Sequence, residues 1–108
     1  MSPKIDTDVL VVGGGPAGLA AATELRRLGV GRVVLLEREG EPGGIPRHCG
    51  HSPFGMREFG RILPGRSYAA RLTARAVSAG VDLRTRHSVV SIAPGHAEIA
   101  TPDGPATI

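Results

Sequence analysis

One cysteine, Cys49, stands in 108 residues, with no tryptophan, one tyrosine and two phenylalanines. A lone cysteine makes no intramolecular disulfide, so the chain is not a stapled scaffold, and a reducing, cytoplasmic setting is expected. Aromatic residues are only 3% of the chain. Its basic residues are spread along the sequence, and 12 of the 13 are arginine. Nucleic-acid binding asks for a basic stripe interleaved with stacking rings, so no nucleic-acid partner is expected. A net charge of +3 is met by a smaller anion. No apolar run approaches the ~20 residues of a membrane span, so no membrane span is expected. The opening, Met1–Asp8, is polar and mixed in charge, unlike a signal peptide.

Glycine, in contrast, is plentiful at 16 residues, and hydrophobic residues make up 41%. That balance suits an α/β chain of one small domain or a piece of a larger one. The glycines matter most after Asp8. Val9–Val12 is a short apolar run suited to a buried strand, Gly13-Gly14-Gly15-Pro16-Ala17-Gly18 follows, and an alanine-rich run to Leu28 reads as a helix. Strand, glycine turn and helix form the context in which G-x-G-x-x-G carries meaning. Gly13 lets the chain turn tightly, Gly15 lets a pyrophosphate reach the backbone, and Gly18 lets helix and strand pack closely, an edge that Ala22 extends. The first N–H groups of the helix lack intrahelical partners and carry the positive end of its dipole, a seat for a diphosphate. A second apolar strand, Val33–Leu36, is followed by Glu37, 37 − 18 = 19 residues after the third glycine. A carboxylate about 20 residues on accepts ribose hydroxyls and repels a 2′-phosphate, which argues against NADP.

Further elements follow in order. Asp8–Val12 is the first strand and Pro16–Leu28 the first helix, with Gly18, Ala21 or Ala22, Leu25 and Leu28 toward the sheet and Arg26 and Arg27 toward water. Gly29 and Gly31 stop it. Arg32–Leu36 is a strand apolar on both faces, as buried parallel strands are. Glu37–Gly65 is a long loop rich in Gly and Pro, the kind that is usually functional, with a short helical turn over Phe54–Arg61. Ser67–Ala79 is the second helix, with Ala69, Leu72, Ala76 and Ala79 as its apolar stripe, and Gly80 ends it. Val81–Arg84 is a third strand. Pro94-Gly95 and Pro102-Asp103-Gly104 then punctuate three short strands, Ser88–Ala93, His96–Thr101 and Ala106–Ile108. His48, Cys49 and His51 are potential ligands within four positions, but a structural zinc needs four and no second cluster exists, so no metal is expected. Arg47 reads equally as an anion-holding or a solvated arginine.

Val-x-Gly-x-Gly-x-x-Gly-x-x-x-Ala, Glu37-Arg38 and the Gly43-Gly44 pair resemble the N-terminal FAD-binding region of the glutathione-reductase-like FAD/NAD(P)-dependent oxidoreductases. The stretch Gly43-Gly44 through His48-Cys49-Gly50-His51 to Phe54-Gly55 is similar to that of FAD-dependent enzymes grouped with anaerobic glycerol-3-phosphate, amine and opine dehydrogenases. The resemblance implies that Gly13, Gly15 and Gly18, with the backbone of Gly14, Pro16 and Ala17, cradle the FAD pyrophosphate. It implies Glu37 on the adenosine ribose, Arg38 beside the adenine, Gly43 and Gly44 passing close to the cofactor, and Val89 or Val90 approaching the adenine through backbone groups. The disulfide reductases of that superfamily carry two cysteines after the glycine pair. With Cys49 alone, their dithiol chemistry is excluded on this chain.

The expected fold is α/β. It comprises a Rossmann-like βαβ unit with a parallel sheet, and the start of an antiparallel β-meander, with residues 1–108 as the N-terminal portion of a FAD/NAD(P)-binding domain. The expected function is the FAD-binding part of an oxidoreductase that moves two electrons from a small organic substrate to FAD, with other dehydrogenase subunits as partners. This chain alone is expected to be inactive. The alternatives are an NAD-binding dehydrogenase domain, or a nucleotide-binding fragment or subunit without activity of its own. Val9–Val12 is expected to be an exposed apolar edge, prone to self-association.

Overall fold

The computed structural model describes residues 3–44 and 65–108. In these the chain forms β1 (Val9–Val12), α1 (Pro16–Arg27), β2 (Val33–Glu37), α2 (Gly65–Ala79), β3 (Asp82–Thr85), β4 (Ser88–Ala93), β5 (His96–Thr101) and β6 (Gly104–Thr107). The expectations for Arg47, His48, Cys49, His51 and the turn over Phe54–Arg61 lie outside the described residues.

β2 is the centre of the molecule. It pairs in parallel with β1, Val9 opposite Val33 and Val12 opposite Leu36, and with β3, Val34 opposite Asp82 and Glu37 opposite Thr85. All four residues of Val33–Leu36 are buried, as a run apolar on both faces requires. Alternation along the strand sends them to two cores. Val33 and Leu35 pack with Leu19 and Ala22 of α1, Tyr68, Leu72 and Ala76 of α2, and Val81. Val34 and Leu36 pack with Ala97, Ile99 and Ala106 of a second, antiparallel sheet ordered β4-β5-β6. The result is three layers: helices, parallel sheet, meander. Each buried Val or Leu contributes roughly 1.5–3 kcal/mol, so β2 is the strand both cores depend on. Among the described residues β1 lies at the edge of its sheet, with Val12 56% exposed. That is the apolar edge the sequence predicts. No helix among the described residues is long and apolar enough to cross a membrane.

Both helices end in the same way. Gly29 and Gly80 have φ of +95° and +92°, a conformation glycine adopts without strain. In α1 the Gly29 N–H donates to the Arg26 carbonyl and the Val30 N–H to the Leu25 carbonyl. In α2 Gly80 donates to Val77 and Val81 to Ala76. These are paired Schellman bonds, each with an apolar residue after the glycine packing back on its helix.

Three expectations need correction. Leu28 is 67% exposed, while Leu19 is fully buried; the stripe of α1 runs through Leu19 and Ala22, and Leu28 sits in the helix cap. Arg26 does not face water. Its Nε donates to the Ala79 carbonyl at 2.9 Å and its Nη1 to the carbonyls of Val30 and Gly31 at 2.8 Å. One guanidinium thus satisfies the last carbonyl of α2 and two carbonyls just past the end of α1, where the dipole also favours a cation. Arg27 is exposed and pairs with Glu24, whose carboxyl this hydrogen bond holds below its ordinary range. The opening segment is more than a lead-in. Ile5 donates to the Thr107 carbonyl at 2.8 Å and Thr107 to the Pro3 carbonyl at 2.9 Å, extending the antiparallel sheet beyond β6.

Arg26→Ala is expected to lower the urea-unfolding midpoint by an amount equivalent to about 1–3 kcal/mol, because it strands carbonyls at two helix ends. Arg27→Ala is expected to leave the midpoint unchanged, as exposed pairs contribute little. Equal midpoints for the two variants would show that the Arg26 contacts carry no weight.

Candidate functional site

The carboxyl ends of β1 and β2 meet at a turn built from glycine. Gly13 has φ +101° and donates to the Leu36 carbonyl at 2.8 Å, so the chain leaves β1 sharply in a conformation other residues resist. Gly14 is buried, and a Cβ on it would lie 3.0 Å from Glu37 Oε1 and 3.1 Å from Pro42 Cβ. Gly15 caps α1 in extended conformation with no side-chain cap, and Pro16 begins the helix. The N–H groups of Ala17 and Gly18 therefore lie in the first turn, where the helix provides no acceptor.

The remaining glycines divide by what a side chain would meet. At Gly18 a Cβ would fall 1.9 Å from the Gly13 carbonyl oxygen, so Gly18 is required by the packing of α1 against the turn. At Gly15 a Cβ would meet no atom of the described residues within 4 Å. Gly15 thus borders open space at the positive end of a helix dipole. Gly43 donates to the Gly14 carbonyl at 2.6 Å, and a Cβ on Gly44, which has φ +62°, would lie 3.0 Å from Gly15 Cα. The Gly43-Gly44 pair therefore lies directly against the turn.

Glu37 closes β2 beside it. Its Oε1 accepts the Gly14 N–H at 2.8 Å and its Oε2 the Glu39 N–H at 2.7 Å. An ionised carboxylate offers about four acceptor sites, so acceptor capacity is left on both oxygens. The Glu37 carbonyl accepts from His87 N–H at 3.0 Å, tying β2 to the segment between β3 and β4.

A cleft of about 320 Å³ opens here, lined by Val12, Gly13, Leu36, Glu37, Arg38, His87, Ser88 and Val89. It brings together Gly13, Glu37, Arg38 and Val89 of the residues singled out in the sequence, with Gly14, Gly15, Pro16, Ala17 and Gly18 in the adjoining turn. Its volume is at the small end for ligand pockets, fit for part of a dinucleotide. Of the two valines, Val89 lines the cleft and Val90 does not. The β4–β5 register shifts between Val89 and Ser91, which leaves Val90 as the extra residue of a bulge, 71% exposed. Bulges of this kind re-aim side chains next to sites. His87, Ser88 and Pro42 are additions. Only the adjacency of His87 and Ser88 to Val89 pointed to them. A larger groove of about 850 Å³ runs along α2, beside Ala70, Ala74 and Val77, and contains none of the turn residues.

Residues 6–63 match the family described as FAD binding domain. The alpha subunit of sarcosine oxidase from Corynebacterium sp. (strain P-1) is 40% identical over 83 residues, 77% of this chain and 8% of that protein. Among solved structures, CabE, an aromatic hydroxylase from angucycline biosynthesis, is similar at a TM-score of 0.75 and 26% identity, over 96% of this chain and 29% of that one. L-proline dehydrogenase from P. horikoshii shares the fold at a TM-score of 0.82 and 24% identity, over 100% of this chain and 22% of that one. The chain spans a small part of each of these proteins. With the family match extending over more than half of its residues, the chain belongs to the FAD binding domain family, and FAD is its cofactor.

Proposed function

We propose that the glycine turn and the adjoining cleft hold the adenosine diphosphate half of FAD in an enzyme that oxidises a small amine. The observation that carries the reading is the contrast between two glycines: Gly18 is closed by the protein's own atoms, while Gly15 borders open space at the start of α1. The diphosphate sits against Gly15, with N–H groups of Ala17 and Gly18 as donors, Gly13, Gly14 and Pro16 shaping the turn, and Gly43 and Gly44 closing over it. Glu37 accepts the ribose hydroxyls with the acceptor sites that Gly14 and Glu39 leave. Arg38 and the backbone of Val89 border the adenine. Bound FAD supplies the two-electron chemistry, and the residues described here bind and orient it.

The amine branch of the dehydrogenase group draws support from the 40% identity to a sarcosine oxidase subunit, whose designation as a subunit also supports assembly with further dehydrogenase chains. The single cysteine suits a cytoplasmic setting. A second reading, an aromatic hydroxylase, is favoured by the 26% identity to CabE.

Two measurements test this. The full chain, incubated with FAD and passed through gel filtration, is expected to retain a flavin absorption band and to release FAD on denaturation. A folded protein that retains NAD instead would overturn the cofactor site. Anaerobic addition of a small secondary amine to the flavin-loaded holoenzyme, of which this chain is the FAD-binding part, is expected to bleach the band. Bleaching only by an external reductant would favour the hydroxylase, since the second oxygen atom of O₂ must leave as water.

Variants separate the two glycines. Gly15→Ala is expected to keep the thermal midpoint, its φ being −73°, and to weaken FAD binding at least tenfold, about 1.4 kcal/mol. Gly18→Ala is expected to destabilise the chain by about 1–3 kcal/mol with or without FAD. Glu37→Gln turns an N–H donor toward one of two backbone donors; it is expected to cost about 1–3 kcal/mol in stability as well as FAD affinity. Calorimetry of the three variants, with and without FAD, checks all three outcomes.

A further inference from the structure

We infer that His87 is a specificity-determining residue of the cleft, which selects a 6-aminopurine over a 6-oxopurine. The inference rests on the cleft being the adenosine site. His87 lies between β3 and β4, its backbone pinned to the Glu37 carbonyl at the end of β2. The residue before it, Arg86, has φ +58° and donates its N–H to the Glu39 carbonyl at 3.0 Å. A non-glycine residue holds that conformation only where its surroundings fix it, so the position of His87 is set from two sides.

The ring is set as well. His87 Nδ1 lies 2.7 Å from the Thr85 carbonyl oxygen. A carbonyl oxygen only accepts, so Nδ1 carries the proton, and in the neutral ring Nε2 is left with a lone pair. Among the described residues Nε2 has no hydrogen-bond partner, and the residue lines the cleft. Arg38, on the same cleft, is a donor only. The Glu37 carboxylate already accepts two backbone N–H groups beside the glycine turn. The His87 imidazole, with the smaller Ser88 hydroxyl beside it, is therefore the side-chain acceptor that the cleft offers to a base. Adenine presents an exocyclic amine, a donor, at its C6 edge. Hypoxanthine presents a carbonyl there, and moving the imidazole proton to Nε2 to meet it would break the bond to Thr85. A site built to accept from a donor rejects the analogue that lacks it.

The test compares ADP with inosine diphosphate by titration calorimetry on the full chain, with FAD alongside. The wild type is expected to bind ADP about tenfold more tightly than inosine diphosphate, the worth of one net hydrogen bond. His87→Asn keeps an N–H near the Nδ1 position for Thr85 and removes the group at Nε2. It is expected to keep the thermal midpoint and bring the two affinities within about twofold. His87→Gln, with an amide oxygen near the Nε2 position, is expected to restore part of the preference. Equal binding of the two nucleotides by the wild type, or a parallel loss of both in His87→Asn, would overturn the role of His87 and leave the cofactor site standing. A wild type that binds neither ADP nor FAD would overturn both.

Discussion

The carboxylate of Glu37 reaches across from the end of β2 to the buried N–H of Gly14 at the end of β1, while its second oxygen holds the N–H of Glu39. Hydrogen bonds to an ionised acceptor are roughly twice as strong as neutral ones. This one joins a turn that has no side chains of its own to anchor it. Gly13, Gly14 and Gly15 are the most permissive residues in the chain, and left alone they would sample many conformations. Glu37 from one side and Gly43 from another, bonded to the Gly14 carbonyl, leave them one. The start of α1 and the cleft wall then follow from where that turn is placed.

What allows a charged group to stand at this point is the strand beneath it. β2 buries Val33, Val34, Leu35 and Leu36 between two different covers. The next residue along emerges only half-buried, at the carboxyl end where open α/β sheets bind their ligands. Arg26 does comparable work at the opposite end. It is not part of any motif, yet it links the cap of α1 to the last carbonyl of α2, so the two helices cover the sheet as one layer.

The legible parts of this molecule are those whose physics is local. Gly18 follows from the spacing of the motif because the atom it must avoid, the Gly13 oxygen, is five residues away along the same turn. The helix stops at Gly29 and Gly80 and both hairpin turns are likewise written in adjacent residues. The role of Arg26 is hidden in the sequence because its partner Ala79 is a backbone carbonyl distant along the chain, and carbonyls leave no trace in composition. Leu28 departs from the stripe because the helical spacing continues in the sequence into a cap where the chain has already turned away. That Val89 and not Val90 lines the cleft depends on a bulge, which is set by how β4 registers with β5. His87 belonged to no pattern, and only the Glu37 and Thr85 carbonyls give it a place.

The bonds between Pro3, Ile5 and Thr107 bear on how the molecule comes to be made. Pro3 and Ile5 find their partner, Thr107, about 100 residues further along the chain. Ile5 and Leu10 also pack in the core that β5 and β6 complete. Contacts so distant in sequence are slow to form, because the loop they close must be ordered before they repay it. The helical layer and the parallel strands can assemble during synthesis. The layer that covers Val34 and Leu36 comes later, so until the meander emerges that face of the nascent chain has reason to occupy a chaperone.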